Sequence, residues 1–268
     1  MTLKPTFRHA LAEATAPLVG LWNASGSPVA AELMAGSGAD LLLVDGEHGP
    51  IELRDLLHIL QASEAYPVTT LVRVASNDPV RIKQVLDLGA QNIIVPMVST
   101  AADAEAAVLA ARYPGGAGER AGTRGIGSAL ARSARWGRAA GYVANADQHV
   151  SVTVQIETAD AVANAAEIAA VDGVDALFIG PADLAGSMGY PGRPGEQAVV
   201  DAVDAAIDAV RAAGKPVGVN AFAEADQDRV LARGASFVFV AADVSLMARG
   251  SEAAVARLKQ PRGEADSY

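Results

Sequence analysis

Cysteine is absent from this 268-residue chain, and several other residue types are scarce. The absence of cysteine excludes disulfides, thiol nucleophiles and zinc–thiolate sites. Aromatic residues make up only 4% of the sequence, so the core must consist mainly of Ala, Val, Leu and Ile. Lysine occurs only at positions 4, 83, 215 and 259, and none of these is expected at the carboxyl end of a strand. A Schiff-base mechanism therefore lacks its lysine nucleophile.

Long apolar runs and an excess of positive charge are also missing. A transmembrane helix needs an uncharged apolar segment of about 18 residues, and the sequence contains none of that length. Residues 1–16 lack the apolar stretch of a secretion signal. Asp and Glu number 31 against 21 Lys and Arg, which gives a formal charge of −10. Because an acidic surface repels nucleic-acid phosphates and anionic lipid, we expect no nucleic acid or membrane partner. We predict a cytoplasmic protein.

Short apolar segments alternate with helical segments along most of the chain. We predict strands at residues 17–23, 40–44, 67–74, 91–96, 151–157, 175–179, 216–219 and 236–240, with helices between them. Eight such units favour a (β/α)8 TIM barrel over an open sheet, and about 250 residues is a typical size for one barrel. No linker is visible, so we expect one domain over residues 1–268 with a polar tail at 261–268.

One segment interrupts this alternation. Residues 113–127 contain six glycines, and residues 128–146 have a partly helical pattern. Loops of this length in a compact domain are usually functional or mobile. We therefore predict a loop-helix insertion at about 113–148, whose first part at 113–125 overhangs the mouth of the barrel.

The segment from Leu41 to Pro50 joins an apolar run to a polar cluster. The run is typical of a strand buried on both faces, and Asp45, Glu47 and His48 follow it among glycines. Active sites of parallel barrels lie at this end of the strands. We expect His48 to act as a general base whose ring Asp45 orients. The alternative is a structural histidine, but this loop cannot bury His48 deeply. We assign no role to Glu47.

Other predicted strands also end in polar or aromatic side chains. Arg73 ends an apolar strand, where its guanidinium would be costly without an anionic partner. It can meet a substrate anion, form a salt bridge to Asp45 or Asp87, or do both. Trp22 ends the first strand and either lines the pocket or only packs.

Glu157 and Asp183 are the best pair of metal ligands in the sequence, because they follow two neighbouring strands. Two carboxylates suit a hard divalent cation such as magnesium or manganese. The alternative is that both only stabilise helix or turn starts. The turn Gly180-Pro181-Ala182 favours the metal site, since backbone N–H groups there can hold a substrate carboxylate. With no glycine-rich phosphate loop after strands seven and eight, we expect a small carboxylate substrate without phosphate.

Four motifs resemble those of the HpcH/HpaI aldolase family, within the pyruvate and phosphoenolpyruvate barrel superfamily. They are LLVDGEHGP at 42–50, RGIGSALARSARWGR at 124–138, QIET at 155–158 and FIGPADLAGSMGYPG at 178–192. The likeness extends from about residue 18 to residue 258. It implies a class II aldolase that cleaves or forms 4-hydroxy-2-oxo acids with Mg²⁺, Mn²⁺ or Co²⁺. The products of cleavage would be an aldehyde and pyruvate, or a related 2-oxo acid such as hydroxypyruvate.

The resemblance also implies residue roles. The expected set comprises metal ligands Glu157 and Asp183, general base His48 with Asp45 and Asp87 as supporting carboxylates, enolate-stabilising Arg73, and substrate contacts Gln155 and Ala182. In the implied mechanism the 2-oxo acid chelates the metal, which stabilises the enolate as a Lewis acid, and His48 removes the proton of the 4-hydroxyl directly or through a water. Family members assemble as trimers of dimers, so a homohexamer is implied. The connection at 113–125 is longer than in the family by about five residues, and residues 220–226 match poorly.

Two other functions fit the same residues. A malyl- or citryl-thioester lyase would use the same enolate chemistry but needs a basic groove for coenzyme A, for which the arginines at 124–138 are the only candidates. A barrel that binds an oxo acid without catalysis is the third interpretation, and the full set of catalytic residue types argues against it.

Overall fold

Eight parallel strands close into a barrel in the computed structural model, which describes residues 2–115 and 122–259. The strands are β1 (Leu18–Asn23), β2 (Leu41–Asp45), β3 (Thr69–Arg73), β4 (Asn92–Val95), β5 (Ser151–Ile156), β6 (Ala176–Ile179), β7 (Val217–Asn220) and β8 (Phe237–Ala242). Each pairs with the next, and β8 pairs with β1. The predicted (β/α)8 architecture is therefore confirmed.

The helices of the described residues surround this barrel. They are α1 (Phe7–Glu13), α2 (Pro28–Ala35), α3 (Leu53–Ala62), α4 (Pro79–Asp87), α5 (Ala101–Ala111), α6 (Ala159–Ala163), α7 (Ala165–Ala170), α8 (Pro181–Ser187), α9 (Gln197–Ala212), α10 (Glu224–Ala232) and α11 (Asp243–Ala256). Several begin at side-chain caps, such as Asp78 before α4 and Thr100 before α5. These caps bind the backbone N–H groups that a helix start leaves without partners.

Alternate residues of the strands face two different cores. Inward-facing Leu41, Leu43 and Leu71 pack with the rings of β6 and β8 inside the barrel. Outward-facing Leu42 and Val72 pack with the helices. Successive side chains of a strand point to opposite faces. Because both faces of these strands are buried, most residues along them are apolar, which explains the continuous apolar runs of the sequence.

Some predicted elements differ in the structure. The helix predicted at 159–170 is broken at Asn164, which separates α6 from α7. Helix α8 begins at Pro181, where we expected only a turn. Proline is favourable at a first helical position, since it has no N–H to leave unpaired.

The expectation that residues 113–125 overhang the mouth is wrong for the described residues of that segment, which lie at the base of the barrel. Its described part starts at the carboxyl end of α5, where the Arg124 amide donates to the carbonyl of Arg112. Arg132 and Arg135 then bind Glu64, which follows α3. A connection from a helix to the next strand lies at the base of a barrel, opposite the mouth. Its helical parts are 3-10 turns, at Arg132–Ala134 and Val143–His149, and residues 116–121 and the tail at 260–268 lie outside the described residues.

Helix α11 is the least buried of the long helices. Only Asp243, its first residue, is buried. Val244, Leu246 and Met247 expose 47%, 52% and 68% of their surface. The helix therefore leaves the barrel at its first turn and carries apolar side chains into solvent.

Within residues 2–115 and 122–259, we find no helix that is both long enough and apolar enough to cross a bilayer.

Candidate active site

Arg73 and two carboxylates form a compact ion cluster at the ends of β2 and β3. The guanidinium binds Asp45 with two hydrogen bonds, of 2.9 Å from Nε and 2.8 Å from Nη2. Its Nη1 lies 3.0 Å from Oε2 of Glu47. The register pairs Asp45 directly with Arg73, which explains the close approach. The expected salt bridge to Asp45 is present, whereas Asp87 is not part of this cluster.

The loop after β2 is held by the same aspartate. Oδ1 of Asp45 accepts hydrogen bonds from the backbone amides of Glu47 and His48, at 3.1 and 3.2 Å. Gly46 donates its amide to the Arg73 carbonyl, and a Cβ at Gly46 would lie 2.7 Å from that oxygen. We had expected Asp45 to orient the ring of His48. It binds the backbone amide of His48 instead. The His48 side chain is 65% exposed and directed to the mouth.

Trp22 packs over this ion cluster from β1. The guanidinium carbon of Arg73 lies 4.6 Å from the centre of the indole ring, a cation–π contact. The indole Nε1 donates a hydrogen bond of 3.0 Å to Oδ1 of Asn220 at the end of β7. Trp22 is only 7% exposed and lines the cavity, so it packs in the barrel and also forms part of the pocket wall.

Glu157 is buried across the mouth, directly after β5. Its Oε1 accepts a 2.7 Å hydrogen bond from the backbone amide of Met97, and its Oε2 accepts one from Gln155 Nε2. Burial raises the pKa of Glu157 to about 7, and the nearby charge of Asp183 adds to the rise. Thr158, not Glu157, caps the following helix. Glu157 is therefore an interior carboxylate with no helix-capping role.

Asp183 lies in the first turn of α8, in the cavity lining. Gly180 precedes this helix and allows the close approach of Glu157, since a Cβ at Gly180 would lie 2.8 Å from Oε2 of Glu157. Pro181 and Ala182 follow and also line the cavity. The first-turn amides of a helix have no intrahelical acceptors, so those of Ala182 and Asp183 suit a carboxylate ligand.

Several carboxylates influence each other at this end of the barrel. Burial raises the pKa of Glu47, Arg73 and His48 lower it, and Asp45 and Asp183 raise it. Carboxylates that raise each other's pKa repel each other when ionised, and a bound cation stabilises their ionised forms. The donor set fits a hard divalent ion, because Glu157 and Asp183 supply oxygen ligands only. In the described part of the chain no third carboxylate or histidine completes the set, so water and substrate oxygens would fill the remaining positions.

These side chains surround one cavity of about 240 Å³. Its lining includes the predicted residues Trp22, Asp45, His48, Arg73, Gln155, Gly180, Pro181, Ala182 and Asp183. Glu157 and Asp87 are not among the lining residues. Glu157 lies directly behind the lining, with its Oε2 beside Gln155 and Gly180. Asp87 ends α4 at the base of the barrel and binds Nη2 of the buried Arg124 at 2.7 Å. Within one chain Asp87 is therefore separated from His48 by the length of the barrel.

Three residues at the mouth were missed by the sequence analysis. Asn220 lines the cavity beside Trp22, and Met97 directs its amide to Glu157 from a left-handed backbone with a φ of 56°. Asp243 is buried and accepts hydrogen bonds from the Asn23 side chain and the Ala24 amide, each of 2.9 Å. The position of Asn220 at a strand end was an available signal. Nothing in the sequence indicates the backbone of Met97.

A parallel barrel with a histidine, a guanidinium and two carboxylates at its mouth has the groups of an enzyme that transfers protons and stabilises an anionic intermediate. Comparison of the chain with protein-family models, known proteins and solved structures identifies the family. The family model for HpcH/HpaI aldolase/citrate lyase matches residues 18–250, and the chain belongs to this family. It is an aldolase, and the resemblance drawn from its motifs is confirmed.

Individual relatives cover nearly the whole chain. A 4-hydroxy-2-oxo-heptane-1,7-dioate aldolase of Salmonella arizonae is 49% identical over 255 residues, which are 95% of each protein. A solved HpcH/HpaI aldolase/citrate lyase family protein of Burkholderia cenocepacia is 36% identical with a TM-score of 0.87, covering 94% of this chain and 98% of that one. Citrate synthase SbnG is 29% identical with a TM-score of 0.82, covering 95% and 98%.

Proposed function

We propose that this protein is a divalent-metal-dependent aldolase that cleaves 4-hydroxy-2-oxo acids reversibly to a 2-oxo acid, such as pyruvate, and an aldehyde. The observation that carries the proposal is the convergence of His48, Arg73 and Asp183 on one cavity at the barrel mouth. The carboxylate of Glu157 lies directly behind Gln155 and Gly180 of its lining. The relative from Salmonella arizonae supports 4-hydroxy-2-oxo-heptane-1,7-dioate as a substrate.

Glu157 and Asp183 would hold the cation, with Mg²⁺, Mn²⁺ and Co²⁺ as the candidates. When bound, the cation supplies Lewis-acid stabilisation of the negative charge on the enolate. Gln155 orients Glu157 through their hydrogen bond and lines the cavity, where it can also meet the substrate. The amide of Ala182 and the turn formed by Gly180 and Pro181 hold the substrate carboxylate.

Arg73 stabilises developing negative charge on the substrate. Asp45 and Trp22 fix its guanidinium from two sides, so little reorganisation is needed when charge appears on the enolate oxygen. In cleavage, His48 takes the proton of the 4-hydroxyl as the C3–C4 bond breaks, and the aldehyde leaves. C3 of the remaining enolate then gains a proton, which gives the 2-oxo acid. In synthesis His48 returns the proton of the 4-hydroxyl. The exposed ring of His48 suits an exchange of protons with solvent between turnovers.

An oligomer is part of the proposal. The exposed apolar face of α11 supports association with a second copy, because patches of this kind usually mark an interface. Asp87 can increase the basicity of a His48 only in another copy, since it lies at the base of its own barrel. A trimer of dimers remains the expectation from the resemblance. The small-molecule partners and the cytoplasmic location also remain predictions.

The thioester lyase receives less support. Arg124 is bound to Asp87, and Arg132 and Arg135 are both bound to Glu64. These arginines support the base of the barrel and do not line the cavity, so the basic groove that coenzyme A needs loses its main candidates.

An assay of pyruvate release separates the candidates. Metal-stripped protein is mixed with 4-hydroxy-2-oxo-heptane-1,7-dioate or with a malyl thioester, with and without added Mg²⁺, Mn²⁺ or Co²⁺. We expect pyruvate from the free acid only, and only after cation is added. Full activity in the stripped protein would contradict the proposal. If wild-type and His48→Ala protein bind pyruvate equally and neither cleaves any substrate, the protein is a non-catalytic binder.

A further inference from the structure

Glu47 is a carboxylate at the mouth that the proposed function does not use. Its side chain is only 16% exposed, and its Oε2 is buried. No residue in the described part of the chain donates a hydrogen bond to this oxygen. A buried carboxylate oxygen without a donor is costly, so the position of Glu47 calls for an explanation.

Two catalytic groups lie close to this oxygen. Nη1 of Arg73 is 3.0 Å from Oε2 of Glu47, which makes an ion pair, but the two groups are not aligned for a hydrogen bond. Nε2 of His48 is 3.9 Å from the same oxygen, which is beyond hydrogen-bonding distance. A small movement of the Glu47 side chain would therefore turn either contact into a hydrogen bond.

Arg73 has one guanidinium nitrogen that Asp45 does not use. Asp45 binds Nε and Nη2, and the ring of Trp22 covers the face of the guanidinium. These two neighbours keep the guanidinium in place even when Nη1 changes its partner. Because Glu47 faces Nη1, a substrate oxygen that binds this nitrogen must compete with the Glu47 carboxylate.

His48 becomes a cation when it takes a proton, and it then needs a counter-charge. Both nitrogens of an imidazolium donate, so Nε2 then carries a hydrogen that Oε2 of Glu47 can accept. The other two carboxylates expected to support His48 lie elsewhere, since Asp45 binds Arg73 and Asp87 lies at the base. Glu47 is therefore placed to stabilise the protonated His48 within one chain.

The charges that face Glu47 agree with a change of partner. Burial raises the pKa of Glu47, Arg73 and His48 lower it, and Asp45 and Asp183 raise it. The ionised form of Glu47 thus depends on the two cationic partners. If Arg73 turns to the substrate while His48 gains a proton, one cation replaces the other beside the carboxylate.

We propose that Glu47 is a positioning residue that holds Nη1 of Arg73 in the free enzyme and moves to Nε2 of His48 when the enolate oxygen takes Nη1, an inference that rests on the proposed function. In cleavage the proton of the 4-hydroxyl passes to His48, and the electron pair of the C3–C4 bond passes to the enolate. C3 then gains a proton, His48 releases one to solvent, and Glu47 returns to Arg73. Glu47 itself stays ionised throughout.

The test compares three variants with bound Mg²⁺. Glu47→Gln keeps the shape of the side chain and removes its charge, whereas Glu47→Asp keeps the charge on a shorter side chain. Glu52→Gln is the matched control, because Glu52 is an exposed carboxylate of the same loop at the start of α3. Cleavage of 4-hydroxy-2-oxo-heptane-1,7-dioate gives kcat and KM. Calorimetry gives the dissociation constant of pyruvate.

We expect two effects of opposite sign in Glu47→Gln. Pyruvate should bind about threefold to tenfold more tightly, since no carboxylate competes for Nη1 of Arg73. The value of kcat should fall about tenfold to a hundredfold, because the protonated His48 loses its counter-charge. Glu47→Asp should recover part of kcat, and Glu52→Gln should leave both quantities unchanged.

Weaker pyruvate binding together with slower turnover in Glu47→Gln would indicate a structural role only and would overturn the inference. An unchanged kcat in this variant would overturn it as well. If the wild-type protein releases no pyruvate from any substrate, the proposed aldolase function fails. The dissociation constants of pyruvate then still decide whether Glu47 competes for Arg73.

Discussion

Glu157 shows how burial and a neighbouring charge at one residue determine a pH response. Its pKa is raised from 4.5 to about 7, so over this range the unfolded chain releases a proton that the folded, metal-free protein keeps. The free energy of unfolding of the metal-free protein should therefore fall as the pH rises through this interval. The loss should be at most about 3 kcal/mol and complete above pH 7.

Denaturant unfolding of metal-free protein between pH 4 and pH 8 measures this effect. In Glu157→Gln the fall should disappear, because the amide does not titrate. Calorimetry in two buffers of different ionisation enthalpy should also show that cation binding near neutral pH releases a proton from the wild type and not from the variant. Parallel pH profiles for the two proteins would show that Glu157 ionises normally.

Met97 contributes its backbone rather than its side chain. Its φ of 56° directs the amide to Oε1 of Glu157, and its side chain is 56% exposed. We expect Met97→Gly to keep the stability and the Mn²⁺ affinity of the wild type, since glycine adopts this conformation freely. Met97→Val should cost about 1–2 kcal/mol and weaken Mn²⁺ binding, because a β-branched residue resists a positive φ. Equal stability of the two variants would contradict this explanation.

At the scale of elements, Asp243 joins the end of the barrel to its beginning. It is the first residue of α11, and its carboxylate accepts hydrogen bonds from Asn23, the last residue of β1, and from Ala24 and Ser25 in the loop that follows. Asp243→Ala would remove this acceptor from the buried side chain of Asn23 and from the half-buried amides of Ala24 and Ser25. We expect a loss of about 2–4 kcal/mol in the free energy of unfolding, measured with urea.

A matched control lies on the same helix. Glu252 forms an exposed pair with Arg249, so Glu252→Gln should change stability by less than about 0.5 kcal/mol. Because Ala24 lines the cavity, Asp243→Ala should also raise KM, whereas the control should not. Equal effects of the two substitutions would indicate that Asp243 does not hold the loop.

The sequence predicted best those elements whose signals are local. Apolar runs located all eight strands to within one or two residues at most ends, and strand ends located His48, Arg73 and Glu157. Contacts between distant segments were predictable only in part. The salt bridge of Arg73 to Asp45 was one of the expected alternatives, but the strand register that pairs these residues was not predicted. This register is why Asp45 binds Arg73 and not the ring of His48.

Chain direction explains the largest error. The segment after α5 leads to the strand β5, and its described residues, 113–115 and 122–148, lie at the base of the barrel. The rule that such connections lie at the base, applied to the sequence, would have corrected the prediction. Asp87 lies at the same end, for the same reason.

At the scale of the whole molecule, the exposed face of α11 predicts association. Light scattering of the wild type should give a mass that is a multiple of 27.3 kDa. The double substitution Leu246→Glu and Met247→Glu places two charges on the apolar face and should shift the mass toward a single chain. Arg249→Ala on the same helix is the control and should leave the mass unchanged. A wild-type protein that is monomeric at all concentrations would contradict an oligomeric enzyme.

The charges at the mouth have a kinetic consequence. Asp45, Glu47, Glu157 and Asp183 lie at the mouth. Among the described residues that line the cavity, Arg73 is the one that carries a guanidinium. A 2-oxo acid is an anion and meets a repulsive field there, whereas a divalent cation is attracted. We therefore expect compulsory order, with the cation entering before the acid and the acid leaving before the cation. Calorimetric titration of the metal-free protein with pyruvate should give no heat of binding until Mg²⁺ is added, so the supply of free metal ion would set when the enzyme is available to its substrate.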